Sequence, residues 1–353
     1  MPVPRAEQFP SHTYKTLDGI RGVAAVSVFG WHFAELFGAK PASGFLAVDL
    51  FFCLSGYVLS YAYGRRLEQE QITLRRFMTV RLIRLYPLYI LGLLCMILSV
   101  MVAVTFHLPT NWNVGQIAIA TTFSMFFLPT PPLHSDAVFP LNNPAWSLFF
   151  ELLVNLCYAI FAPKLNVRAL IVVVVISGIA LTVGAIHYDS WDVGSKWPTF
   201  FMGIPRVSYS FFLGVLLRRT RLNLDAGSLP VLLVTALMLC ADPGKYSIEY
   251  GAIALLIGVP LIVAAGANSE PPALLLPAYG FLGLTSYALY VLQIPVMAGT
   301  MGLLKKIVGQ FYAPVSGLTC LSALMLLCYV LDKRFDLPVR KYLSGRMITE
   351  TSA

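Results

Sequence analysis

Apolar residues run along this chain in blocks long enough to cross a bilayer, separated by short polar stretches. Such blocks occupy about 18–37, 44–63, 82–106, 146–162, 168–187, 200–217, 229–241, 250–267, 279–303 and 312–331. A helix of roughly 20 residues crosses the hydrocarbon core, so the pattern predicts ten membrane spans. One further apolar stretch, 114–128, is shorter than a span. It is followed by Pro129, Pro131, Pro132, Pro140 and Pro144 with Asn142 and Asn143, an irregular and stiff loop. Such a loop suits the mouth of a site, and equally a plain connector. No fixed-period repeat and no low-complexity tract interrupts the pattern.

Composition agrees. Of 353 residues, 58% are hydrophobic and 12% charged, about half the charged fraction of a soluble domain. The expected fold is all-α, a polytopic transmembrane bundle forming one domain over 1–353 with no appended soluble domain. The six cysteines lie inside apolar runs without a CxxC pair, which supports neither a disulfide framework nor a zinc site. Met1 to Thr16 has no apolar core, so the first span is expected to serve as the insertion signal.

The net charge of +8 raises nucleic acid as a partner, but the basic residues sit in short clusters between apolar runs, where positive-inside anchoring explains them. Arg65, Arg66, Arg75, Arg76, Arg81 and Arg84 place the 64–84 connection in the cytoplasm, while 107–145 has no Lys or Arg and is expected outside. Ten spans also put Arg218, Arg219 and Arg221, and Lys333, Arg334, Arg340, Lys341 and Arg346, inside. Both termini are then cytoplasmic, 114–128 is interfacial or re-entrant, and Lys305 and Lys306 are the discordant pair.

Ionisable groups within spans are costly and read as functional candidates. On the first helix Asp18 and Arg21 can pair at i,i+3. His32 returns to nearly the same face about 16 Å further along, either as a general base or as a polar residue bonded between helices. Glu35 could orient it or turn outward. The second helix carries Asp49, costly if unpaired, and small Ser55 and Gly56, which favour close packing, beside Tyr57. Arg81 and Arg84 share one face of the third helix, where two guanidinium forks suit phosphate groups or serve as anchors. In the fourth helix, which opens on Trp146, Ser147 and Glu151 share a face. Glu151, about 7.5 Å inside the outer end, is expected at the depth of His32, with the arginines at the opposite surface. His12, His107, His134 and His187 read as solvated or interfacial, and no metal-ligand cluster or phosphate loop is visible.

Several of these stretches together resemble the acyltransferase-3 family of bacterial membrane O-acyltransferases. They are Leu17-Asp18-Gly19-Ile20-Arg21-Gly22 with His32, Asp49-Leu50-Phe51-Phe52-Cys53-Leu54-Ser55-Gly56, Arg81-Leu82-Ile83-Arg84-Leu85-Tyr86-Pro87, Trp146-Ser147-Leu148-Phe149-Phe150-Glu151, and Gly283-Leu284-Thr285-Ser286-Tyr287-Ala288-Leu289-Tyr290. The resemblance implies an inner-membrane enzyme that moves an acyl group, acetyl foremost, from cytoplasmic acyl-CoA to a glycan or lipid-linked glycan hydroxyl, with no metal. It implies His32 as the essential histidine and Arg81 and Arg84 as the arginine pair; the expected depth of Glu151 makes it the candidate to orient or charge-balance His32. Asp18, Arg21, Asp49, Ser55, Tyr57, Trp146, Ser147 and Tyr287 would support them. Membrane lipids are expected partners, and assembly as a homo-oligomer is open. One departure is Gln293, where the family usually has a histidine; a carboxamide keeps a hydrogen bond but not a proton-transfer role. A transporter or flippase of lipid-linked sugars is the alternative class, and a sensor or assembly partner with a degenerate site is a third.

Overall fold

The computed structural model describes residues 13–308 and 312–350, without the side chains of 302–308 and 346–350. The readings made for His12 and for the side chains of Lys305, Lys306 and Arg346 lie outside the described residues. In chain order the helices are α1 (Lys15–His32), α2 (Ala34–Phe37), α3 (Ala47–Glu68), α4 (Leu74–Thr105), α5 (Val114–Met125), α6 (Ala145–Phe161) and α7 (Val167–His187). There follow α8 (Gly203–Thr220), α9 (Ser228–Cys240), α10 (Ser247–Ile253), α11 (Val259–Asn268), α12 (Leu276–Val308), α13 (Val315–Leu331) and α14 (Leu337–Glu350). A π-turn at Ala254–Gly258 joins α10 to α11, and another at Asp332–Asp336 joins α13 to α14. No named strand occurs among the described residues; one isolated bridge links Ala137 and Lys196.

Eight segments are long and apolar enough to cross a membrane, so the chain is an all-α polytopic bundle. Two of the ten predicted spans fall outside that set. Helix α1 carries Lys15, Asp18 and Arg21, and α9 has only 13 residues. The reason is position. Helix α1 lies against α12, α9 and α3, with neighbours on several sides, so its sequence answers to packing as well as to lipid. The two most apolar helices, α7 and α4, are with the α13–α14 rod the least enclosed.

The basic clusters gather at one end of the bundle. There Thr16 donates to the Ser269 carbonyl, Ser269 Oγ donates to Asp225, and Arg219 bonds both Glu68 and the Leu165 carbonyl. At the opposite end Ser43 Oγ donates to the Ala241 carbonyl at 2.9 Å and Trp191 Nε1 to that of Ile248 at 2.9 Å.

Several boundaries differ from the apolar blocks. The first block breaks at Phe33, leaving His32 as the last residue of α1. The third helix begins at Leu74, where the Thr73 side chain caps it by accepting from Arg76 N. Helix α12 continues through Pro295. The chain after Leu331 stays helical instead of leaving as a tail, because Arg340 lies 2.9 Å from Asp336 and 3.7 Å from Asp332.

Between α5 and α6 the loop turns inward, with Val138, Phe139, Leu141 and Asn142 buried. Asn142 Nδ2 donates to the Val291 carbonyl at 3.0 Å. Helix α5 is about 18 Å long and lies back along α4, where Tyr86 and Tyr89 donate to the carbonyls of Met125 and Ser124 at 2.8 Å.

Close helix approach fixes α3 against α8. A Cβ built on Gly56 would stand 2.0 Å from the Phe211 carbonyl oxygen, and one on Gly214 2.0 Å from that of Cys53. Both obstacles are backbone, so the helices themselves would have to separate. Gly56→Ala is expected to destabilise the bundle by about 1–3 kcal/mol. A lowered melting midpoint of detergent-purified protein would register it, and an unchanged midpoint would count against this contact.

Candidate active site

Helices α1, α3, α4, α6 and α12 surround one cavity in the basic half of the bundle. Arg21, Ser55, Arg81, Arg84, Ser147, Glu151, Ser286, Tyr287 and Tyr290 supply its polar lining, and Phe51, Phe52 and Leu85 are among its apolar walls. Three guanidinium groups face it against one lining carboxylate, so it favours an anion.

Each charge has a partner, and the partners sort by depth. Arg21 Nη2 lies 2.6 Å from Asp18, which also has Lys15 at 4.0 Å. Arg81 Nη2 donates to Glu151 Oε1 at 2.7 Å, and Ser55 Oγ donates to the same oxygen at 2.9 Å. Arg84 is less committed. Its Nη1 is 3.9 Å from Asp336, and its guanidinium lies 5.7 Å from the Tyr287 ring centre. The Tyr287 hydroxyl donates to the Leu85 carbonyl, which sets the ring against α4.

Glu151 therefore stands with the arginines and not beside His32, contrary to the depth argued from its place in the helix. That argument started the helix at the membrane surface. Because Val138, Phe139, Leu141 and Asn142 are buried, α6 begins at Ala145 already inside the bundle, and its 17 residues span only about 25 Å. Ser55 likewise does more than allow close packing, since its hydroxyl helps to hold that carboxylate.

His32 lies outside the cavity lining and terminates α1. The Gln293 carboxamide is within hydrogen-bonding reach of its imidazole, and Asp192 and Lys40 are its charged neighbours. His32 Nδ1 and Gln293 Oε1 are both buried without an aligned partner. Unfilled hydrogen-bonding capacity in an enclosed place calls for an explanation, and a bound group is one. The free carbonyls ending α1 complement the charge an imidazole gains on taking a proton.

Helix α12 joins the two places. Tyr287 and Tyr290 line the cavity, Tyr290 shares a 2.7 Å hydrogen bond with Ser147 Oγ, and Gln293 follows one turn on. Glu35 is exposed, the outward one of its two options.

Asp49 is not unpaired. Arg206 bonds it twice through Nε at 3.2 Å and once through Nη2 at 2.8 Å, while Ser210 adds a fourth bond at 3.2 Å. Arg206 also donates to the carbonyls of Val193 and Phe45 and stacks 5.3 Å from the Trp146 ring. Asp49 and Trp146 thus belong to a buried structural cluster. Tyr57 packs edge-on against Tyr14 at 5.4 Å, away from the cavity lining. Sequence reasoning passed over Arg206 and Asp336. Arg206 had a visible signal, an arginine inside the 200–217 apolar run.

The bundle thus carries a cavity lined by three guanidinium groups in its basic half and, further along α1 from Arg21, a half-buried histidine. The acyltransferase-3 family model, described as an acyltransferase domain, matches residues 14–331, and the chain belongs to that family of membrane-bound O-acyltransferases. It is 40% identical over 189 residues to protein 2 in the picA locus of Rhizobium radiobacter, covering 51% of this chain and 99% of that one. It is 28% identical over 200 residues to the peptidoglycan O-acetyltransferase OatA of Listeria monocytogenes, covering 51% of this chain and 30% of the relative. The O-acetyltransferase OatA of Staphylococcus aureus matches at 27% over 194 residues, again over 30% of its length. No solved structure matches the chain.

Proposed function

We propose that this enzyme of a bacterial inner membrane transfers an acetyl group from cytoplasmic acetyl-CoA to a hydroxyl of a glycan at the far side of the membrane. The observation that carries the proposal is the convergence of Arg21, Arg81 and Arg84 on one cavity, with His32 about 16 Å further along α1 from Arg21. Arg84, which has no close ion pair, meets donor phosphates, and Arg81 is held ready by Glu151 and Ser55. The extended arm of the donor follows α12 past Tyr287 and Tyr290 towards His32. There the imidazole takes the proton of the acceptor hydroxyl as its oxygen attacks the thioester carbonyl. The new C–O bond forms, the C–S bond breaks, and the CoA thiolate recovers the proton. Transfer through a transient acyl-imidazole gives the same products. The OatA relatives, O-acetyltransferases by name and one of them specific in name for peptidoglycan, support acetyl and a glycan acceptor.

Purified protein given labelled acetyl-CoA and surface polysaccharide tests this directly. Label should pass to the glycan as an alkali-labile ester; label that stays on CoA would overturn the proposal in favour of transport. In the same assay Arg84→Ala is expected to raise KM for acetyl-CoA about tenfold with a smaller change in kcat, as loss of uniform binding does. A fall in kcat at unchanged KM would place Arg84 at the reacting groups instead.

A further inference from the structure

The family match ends at residue 331, and the next five residues form the π-turn Asp332–Asp336. A π-turn inserts an extra residue into a helical turn and re-aims the side chains beyond it; such turns gather at functional sites. This one sends Asp336 into the bundle, where its side chain is fully buried. Arg340, one turn further on α14, lies 2.9 Å from Asp336. From α4, Arg84 approaches the same carboxylate oxygen at 3.9 Å. Neither oxygen of Asp336 is in an aligned hydrogen bond.

A buried carboxylate without aligned bonds is costly for stability alone, so its place between two arginines needs another account. The two arginines of the α4 pair differ in how they are held. Arg81 is tied to Glu151 at 2.7 Å, whereas Arg84 is steered from 3.9 Å with its side chain still 35% exposed. Asp336 spends its closest contact on Arg340 and leaves the donors of Arg84 free. The Tyr287 ring bounds Arg84 on another side.

We infer that Asp336, held by Arg340, is a positioning residue that aims the Arg84 guanidinium into the cavity, so that the segment after the family domain completes the anion site. The inference rests on the donor-binding role proposed for that cavity. It names the ligand chemistry as a phosphate group of the acyl donor.

Two measurements on the full chain in detergent test it. The first is CoA affinity by titration calorimetry at fixed salt, for the wild type, Asp336→Asn, Asp336→Glu, Arg84→Gln and the Asp336→Asn/Arg84→Gln pair. Asp336→Asn is expected to weaken CoA binding on the order of tenfold. Asp336→Glu should retain most of the affinity, and the pair should lose no more than Arg84→Gln alone. The second is the rate at which phenylglyoxal modifies each arginine, read by peptide mass. Arg84 should react faster in Asp336→Asn while Arg21 keeps its wild-type rate. Where Asp336→Asn fails to fold, Arg340→Gln replaces it; Asp336 should then close on Arg84, which weakens CoA binding and slows the modification of Arg84. Unchanged affinity and unchanged Arg84 reactivity would overturn the inference, as would fully additive losses in the pair. Should the wild type bind no CoA, the donor proposal falls, and the Arg84 modification rate alone decides whether Asp336 positions it. A carboxylate that merely staples α14 to α4 would shift the melting midpoint and neither of these readouts.

Discussion

Replacing His32 by alanine is expected to lower acyl transfer by about 10²–10⁴-fold, the usual worth of a positioned general base, while the protein remains inserted and folded. The fold should tolerate the change because His32 ends α1 and its Nδ1 makes no aligned hydrogen bond that alanine would forfeit. Gln293 would lose a neighbour but keep its 3.1 Å bond to the Tyr290 carbonyl. The measurement is label transferred to glycan by membranes containing matched amounts of wild-type and variant protein, with the melting midpoint of each as the control. His32→Gln separates two roles. A carboxamide can still hydrogen-bond but cannot take the proton, so it should be as inactive as alanine. Transfer at the wild-type rate by either variant would remove His32 from the reaction.

The position of His32 also shows what the sequence could and could not reveal. Its spacing from Arg21 is a property of a single helix, and helical geometry alone placed the two at different depths on nearly one face. Glu151 needed more than its own helix. Its depth depends on where α6 begins, and that depends on loop residues 138–142 folding inward, a tertiary event without a periodic signature. Asp49 marks a different limit. An intramembrane carboxylate implies a partner, but its identity as Arg206, 157 residues away, follows only from α3 lying against α8. The charge clusters, by contrast, were legible in the sequence as short basic runs between apolar blocks, and the structure gathers them at one end of the bundle. Hydropathy was least informative where the helix was most enclosed. Helix α1 is among the more polar of the ten because it is packed on several sides, and it is the helix that carries Arg21 and His32.

The bundle holds its buried charges in three ways, and each leaves a different amount of freedom. Asp49 and Arg206 satisfy each other with help from Ser210 and two carbonyls. Arg81 and Glu151 form a close pair on the cavity wall. Arg84 and Asp336 stand further apart. Commitment falls as the exposure of the arginine rises, from 1% at Arg206 through 13% at Arg81 to 35% at Arg84. A charge needed for structure is best neutralised completely, and one needed for a ligand is best oriented and left with donors to spare.

Removing one member of the Asp49–Arg206 pair should therefore damage the fold more than any change at the cavity. The two side chains are 2% and 1% exposed, and breaking a buried pair by deleting one partner costs about 3–5 kcal/mol. Whole domains are stable by only about 5–15 kcal/mol, so Arg206→Met is expected to leave little folded protein in the membrane. Arg206→Met also abandons the Val193 and Phe45 carbonyls, whereas Asp49→Leu strands the guanidinium but leaves those two bonds in place. Asp49→Leu should accordingly be the milder of the two. The double variant Asp49→Leu/Arg206→Met removes both charges together, and replacing a buried pair by apolar groups is often close to neutral. It should recover much of the loss and stop short of wild type by the cost of the two unpaired carbonyls. Folded yield by size-exclusion chromatography and melting midpoints would rank the three variants. Transfer per folded molecule in the double variant should stay near wild type, since neither side chain lines the cavity. A double variant that folds well yet transfers nothing would return Asp49 to the machinery of the reaction. Single variants as stable as wild type would show that the pair does not hold α3 to α8.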